Sequence, residues 1–337
     1  MPDAATKRRA IGQKTLESPF FWIERDIMTD GRLEETRWQM MWRVWRPRVS
    51  RLFTITILAW LVVWMWQQRA TLQQIFRQLQ GGQILLLLFW LTLSVGLAAW
   101  SFTLLVRGMG YSFSYGDGYH SLNLSQVAAM VPGKVWGFAG LAALLWNKGI
   151  SKGDSLLIIT LHTVLMLSAA AITGTVGFIA LLGWQYTLLA LLPIVALVVG
   201  RNGWEKLWQR FFRQTSHFPS AGRLGLILVV GCGSWAATSA SFALLVHQVV
   251  GSWLVSPWLL ASTFSAGYVV GYLSFITPAG LGVREGVMSL ILGPVLGPEQ
   301  ALGLALVFRV LHMAVLWLNI LITLVLVSLF HSGNPKR

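Results

Sequence analysis

The chain has 337 residues, 55% of them hydrophobic and only 11% charged, with a net charge of +14 and a single cysteine. A soluble domain carries about 25% charged residues, so this composition excludes a soluble globular protein, and Cys232 standing alone excludes an intramolecular disulfide framework. The positive charge does not point to nucleic acid, because 11 of the 26 Lys and Arg fall in residues 1–51 and Arg201, Lys206, Arg210, Arg213 and Arg223 fall in one loop, the distribution that the positive-inside rule and anionic headgroups select for.

Residues 1–50 lack the short apolar core and cleavage site of a secretory signal, since the first long apolar run begins near Leu52. They read as a basic cytoplasmic segment. Within it, RWQMMWRVWRPR places Trp38, Met41, Trp42 and Trp45 on one helical face among arginines, which suits an interfacial helix ending before Pro47. A soluble partner-binding helix is the alternative.

Further along, Leu-rich apolar runs at 52–66, 83–106, 154–182, 184–200, 224–248 and 299–330 predict full spans, the first of them short. They are continuous, without the alternation of a transmembrane barrel, so helices are expected. Two further hydrophobic regions are interrupted: 119–146 at Val131-Pro132-Gly133-Lys134, and 257–296 at Thr277-Pro278-Ala279-Gly280. Proline removes a backbone donor and glycine permits sharp turning, so each region is expected to fold as a broken hairpin.

Charge decides the topology. If 119–146 crossed fully, the basic loop 201–223 would face outside. If it dips in and returns, that loop shares the cytoplasmic side with the N-terminus, Lys148, Lys152 and the Lys336-Arg337 tail. The expected fold is therefore an all-α polytopic membrane protein with about six spans and two re-entrant hairpins, eight hydrophobic segments in all. A basic segment, 1–50, precedes repeats over 51–182 and 183–331, and a short tail, 332–337, follows them. Each repeat holds a span, an amphipathic helix (67–80 or 201–212), a span, a broken hairpin and a final span. Pro132 precedes Asp154 by 22 residues and Pro278 precedes Glu299 by 21, and both acids suit helix N-termini. Three crossings per half is an odd number, so the second copy is expected to be inverted, as in many transporters.

The chemistry concentrates at the breaks. Gly280 and Gly282 precede a helix over 283–292, whose N-terminal amides suit an anion such as phosphate. Arg284 adds a donor fork for phosphate or carboxylate. Glu285 has three candidate partners: Arg309, a cationic headgroup, or Arg284, the last disfavoured because neighbouring helix residues point about 100° apart. A charge at mid-bilayer costs roughly 2.5–3.5 kcal/mol. Arg284 and Lys134 are thus expected in a polar cavity between the two hairpins, or in a buried network with Glu285 and Arg309 that only orders the bundle. Arg309 has two further possible partners, Glu299 and a backbone carbonyl. His162, His247 and His312 read as interhelical hydrogen-bonders, Cys232 as a small apolar helix residue, and Gly267-x-x-x-Gly271 as a packing motif beside the similar Gly282-x-x-x-Gly286. No HExxH, Walker loop, GxSxG or metal-ligand spacing occurs, so neither catalysis nor a cofactor is expected. Arg, Lys and His would still suit an enzyme acting on a lipid phosphate.

PAGLGVREG at 278–286 resembles the Pro-Gly-Gly-Leu-Gly-Val-Arg-Glu signature of the flippase-like membrane region of lysylphosphatidylglycerol synthases. VPGKVWGFAG at 131–140 is similar to the Pro-Gly-Lys-x-Trp element of one branch of that family, as is Asn-Lys-Gly-Ile-Ser at 147–151. The resemblance covers roughly residues 50–330. It implies a helical membrane bundle that in some members moves an aminoacylated phospholipid between leaflets. The implied functional positions are Pro278, Gly280, Gly282, Arg284 and Glu285, with Pro132, Gly133 and Lys134. Ala279 and Leu141 depart from the family pattern, where Gly and Arg are usual. With about 50 residues before the first span and seven after the last, no aminoacyl-transferase domain is expected, so another protein would charge the lipid. The expected function is translocation of a membrane lipid or lipid-linked anion, with an anionic or aminoacylated phospholipid or a lipid-linked glycan as substrate, in the plasma (inner) membrane. The alternative is a non-transporting scaffold or accessory subunit for an enzyme of envelope lipid or glycan synthesis.

Overall fold

In the computed structural model the described residues are 69–79, 81–129, 135–185, 218–251, 255–274 and 282–332, together with Trp66, Gly203, Lys206 and Gly280. All fall within the compact unit Leu61–Arg337. The basic segment 1–50 and nearly all of the expected span 52–66, of 184–200, of 201–212 and of the tail lie outside them. Among the described residues the regular structure is helical, without strands.

The amphipathic helix α1 (Arg69–Gln78) buries Ile75 and leaves Arg69, Gln73 and Arg77 exposed. The Leu-rich α2 (Gly81–Gly108) follows and stops where Gly110 takes φ +92°. There Arg107 Nε donates to the Phe113 carbonyl at 2.6 Å and ties the turn. Ser114 and Asp117 then cap each other reciprocally, Asp117 N–H donating to Ser114 Oγ at 3.0 Å, at the start of α3 (Tyr115–Ala129). α4 (Val135–Asn147) returns to the same end, where Lys148 pairs with Asp117 and closes the mouth of the hairpin. Burial raises the Asp117 carboxyl, but Lys148 and Ser114 outweigh it and hold the group below its usual range.

Ser151 caps α5 (Lys152–Thr173), accepting from the Asp154 N–H. The buried Asp154 carboxylate also takes the Tyr111 hydroxyl, and burial together with that carboxylate pushes the phenol above its ordinary value. One correction to the expected spans falls here: the run 154–182 is not one helix but breaks at Gly174, beyond which α6 (Thr175–Leu182) continues. Thr173 and Thr175 bond back to carbonyls one turn earlier, which bends helices. A side chain at Gly174 would stand 2.8 Å from the Ala266 backbone nitrogen. The bend thus seats the next hairpin.

α7 (Ala221–Val250) runs from a Ser220 cap to Gly251 in the left-handed conformation, and carries the half-buried Cys232. α8 (Pro257–Leu273) begins with proline at N1. α9 (Val283–Leu296) and α10 (Pro298–Ser332) complete the bundle, with Gly297 at φ +84° between them. Among the described residues four helices are long and apolar enough to cross a bilayer: α2, α5, α7 and α10 over 298–325. α3, α4, α8 and α9 have 15, 13, 17 and 14 residues, about 20–26 Å at 1.5 Å per residue and so short of the roughly 30 Å hydrocarbon core. The helices flank both breaks read from the sequence, α3 with α4 and α8 with α9, and the two members of each pair pack together.

The buried core has two centres. Phe102, Leu145, Ile158 and Ile227 join α2, α4, α5 and the start of α7. Phe242, Phe264, Met288, Leu292 and Phe308 join α7, α8, α9 and α10. In both, a short hairpin helix is packed among long ones.

Candidate functional site

The second core centre carries the charged residues of the opening of α9. Gly280 has φ +69°, a conformation that L side chains rarely adopt, and a Cβ there would lie 2.7 Å from the Gly271 carbonyl oxygen. Only glycine lets the break come this close to α8. On α8 itself, a Cβ at Gly271 would meet the Arg284 Cβ at 3.1 Å, and one at Gly267 would meet Met288 Cγ at 2.9 Å. Gly267-x-x-x-Gly271 is therefore the face that seats α9. The matching Gly282-x-x-x-Gly286 is not a packing face among the described residues, none of which comes within 4 Å of a Cβ added at either glycine.

From this seat the two adjacent charges diverge. Glu285 is 3% exposed. Its Oε2 accepts from the Gly282 N–H at 2.8 Å, capping α9, and its Oε1 accepts from Arg309 Nη1 on α10. Of the three candidate partners, Arg309 is the one adopted. Arg309 in turn reaches across to α9 rather than back to Glu299 along its own helix. The Glu285 carboxylate is thereby committed to structure at both oxygens.

Arg284 points elsewhere. Its guanidinium carbon lies 4.0 Å from the Phe264 ring centroid and 5.1 Å from that of Tyr268. Tyr268 packs at a tilt against Trp235, ring centroids 4.4 Å apart, and stacks on Tyr272 at 6.0 Å, so the cation rests on a continuous aromatic shelf. Among the described residues no hydrogen-bond acceptor meets the Arg284 guanidinium. Because Glu285 and Arg309 neutralise each other, the three charges leave one net positive charge, that of Arg284.

Of the residues expected at the site, the structure brings together Gly280, Gly282, Arg284, Glu285 and Arg309; Pro278, Pro132, Gly133 and Lys134 lie outside the described residues. The shelf residues Phe264 and Tyr268 were not anticipated. Their spacing of four residues, alternating with Gly267 and Gly271, is the signal that would have placed them beside α9. His162 bonds between helices as expected, Nε2 to Ser101 Oγ at 3.2 Å, whereas His312 Nδ1 is buried without a hydrogen-bond partner among the described residues. Polar contacts also join distant helices, Tyr119 on α3 to Asn319 on α10, and Thr173 at the end of α5 to Ser265 on α8. No group of three or more His, Cys, Asp or Glu comes together among the described residues.

Apolar helices of spanning length, and a cation held on aromatic rings inside the bundle, define an integral membrane protein with a polar centre. The family model for the lysylphosphatidylglycerol synthase TM region matches residues 51–322. The chain belongs to that family, which places it among membrane proteins related to lipid modification or translocation. Comparison with curated proteins gives no match.

Proposed function

We propose that the protein is not an enzyme but moves an anionic membrane lipid or lipid-linked anion across the plasma membrane, binding its headgroup at Arg284. The observation that carries this reading is the guanidinium on the Phe264–Tyr268 shelf without an acceptor among the described residues. A charge in the membrane is costly and is kept where it pairs or works. Glu285 and Arg309 pair; Arg284 is left to work. Gly280 and Gly282 shape the break that presents it, and Pro278, Pro132, Gly133 and Lys134 belong to the same proposal through the matching breaks.

An inverted repeat supports alternating access around this point. If α2, α3, α4 and α5 are exchanged with α7, α8, α9 and α10, each packed pair among these eight helices has a packed counterpart. The Tyr119–Asn319 and Ser265–Thr173 contacts are equivalent under one offset of 146 residues, the separation of Pro132 from Pro278. The equivalent helices α2 and α7 run antiparallel: Ser241 Oγ donates to the Leu87 carbonyl at 3.1 Å, Ser94 meets Thr238 at 2.6 Å, and Gly108 lies beside Arg223. Two equivalent helices running oppositely are what an axis in the membrane plane would give, and they support the inverted reading.

Two measurements test the reading. In proteoliposomes bearing fluorescent phosphatidylglycerol, Arg284→Ala is expected to slow translocation at least tenfold at an unchanged melting temperature. Equal rates would leave Arg284 a packing residue and favour the scaffold. For the topology, with Cys232 replaced by serine, a cysteine introduced at Arg210 is expected to resist an impermeant thiol reagent applied outside cells. Labelling there would overturn the re-entrant arrangement.

A further inference from the structure

We propose that His312 is the second donor of the Arg284 site, and that the two together hold the phosphate of a singly charged phosphodiester lipid. The inference rests on the lipid-binding reading of Arg284 and deepens it.

His312 lies three residues beyond Arg309 on α10, on the same helix face. Its ring packs against Phe264 at 5.8 Å and Phe308 at 6.2 Å. Phe264 is also the ring that carries Arg284, so one aromatic side chain positions both groups. The Nδ1 atom of His312 is buried, with no hydrogen-bond partner among the described residues. A buried polar atom ordinarily finds a partner, as His162 does with Ser101. An unmet nitrogen and an unmet guanidinium on one shelf fit a ligand that accepts from both.

Charge and geometry narrow that ligand. With Glu285 closed by Arg309, the described residues of the site offer one positive charge and, in the Nδ1–H tautomer of His312, one neutral donor. A phosphodiester brings one negative charge and two non-bridging oxygens, one for the guanidinium fork and one for the imidazole. A phosphomonoester or pyrophosphate would bring a second charge that no cation among the described residues offsets. A carboxylate would match the charge, but the paired donors and the surrounding hydrocarbon favour the phosphate of a glycerophospholipid, which is anchored at this depth by its chains.

The test uses the purified full chain in detergent and titrates it with dioctanoyl phosphatidylglycerol. Quenching of tryptophan fluorescence is the readout, since Trp235 packs against the shelf residue Tyr268. His312→Phe keeps the ring on Phe264 and removes the donor; its Kd is expected to rise about tenfold, equivalent to about 1.4 kcal/mol. His312→Asn, whose amide reaches the Nδ1 position, is expected to stay within about threefold of wild type. The asparagine arm decides the matter should the phenylalanine variant melt lower. Wild-type affinity in His312→Phe would overturn the role of His312, and if Arg284→Ala still weakens binding, this inference alone falls. If neither substitution weakens binding, the Arg284 site falls as well. Dioctanoyl phosphatidate binding more tightly than phosphatidylglycerol would overturn the single-charge assignment. Glycerophosphoglycerol, the same phosphodiester without its acyl chains, binding as tightly as the lipid would overturn its lipid source.

Discussion

Glu285→Ala is expected to destabilise the folded protein by about 3–5 kcal/mol, the usual consequence of removing one partner from a buried ion pair. Two losses coincide. Arg309, whose side chain is 12% exposed, keeps its charge inside the bundle without the Glu285 carboxylate, and the Gly282 N–H loses its cap. Thermal unfolding in detergent, followed by the fraction remaining monodisperse, measures the effect. Arg309→Leu is expected to be comparably harmful, because the carboxylate then stays buried with the Gly282 amide as its one donor among the bonds described. The double replacement Glu285→Leu with Arg309→Leu removes both charges together and is expected to recover most of the loss. Additive losses in the double variant would mean that the two residues act independently and would refute the pairing. The same result bears on function: a residue engaged at both oxygens holds Arg284 in place rather than touching a ligand itself.

The sequence carried the breaks and not the partners. Pro132 and Pro278 announced both hairpins, because proline within an apolar run removes a helical hydrogen bond and clashes with the preceding turn, and helices end and restart around them. The bend at Gly174 was hidden, since Thr173-Gly174-Thr175 sits in a run that satisfies every criterion of a single span. Its cause lies in the Ala266 backbone pressing against it, a contact 92 residues away. The partner of Glu285 was likewise undecidable. With Arg284 disfavoured by helix geometry, Arg309 and a cationic headgroup stayed open, and the choice depends on how α10 crosses α9, which no local pattern records. Phe264 and Tyr268 were indistinguishable from other aromatics on an apolar helix until Arg284 was seen resting on them.

The two glycine motifs supply the second large effect, because they are alike in sequence and opposite in surroundings. Gly271→Leu is expected to abolish lipid translocation as completely as Arg284→Ala, although it removes no functional group. Its Cβ would stand 3.1 Å from the Arg284 Cβ and 3.5 Å from the Arg284 backbone nitrogen, so α9 must move away from α8 and carry the guanidinium off Phe264. Gly280 reinforces the constraint, since it packs against the Gly271 carbonyl from the other side of the break. Overpacking of this kind typically costs about 1–3 kcal/mol, less than the ion-pair loss, so the variant should still fold. Gly286→Ala is the control. It has open space around its Cβ and lies within α9, where alanine is favoured over glycine by about 0.8–1.0 kcal/mol, so both stability and transport should be retained or improved. Equal behaviour of the two variants would mean that the α8–α9 seat does not position Arg284. Loss in Gly271→Leu alone would tie activity to the placement of one guanidinium on one aromatic ring, with helix packing as its cause.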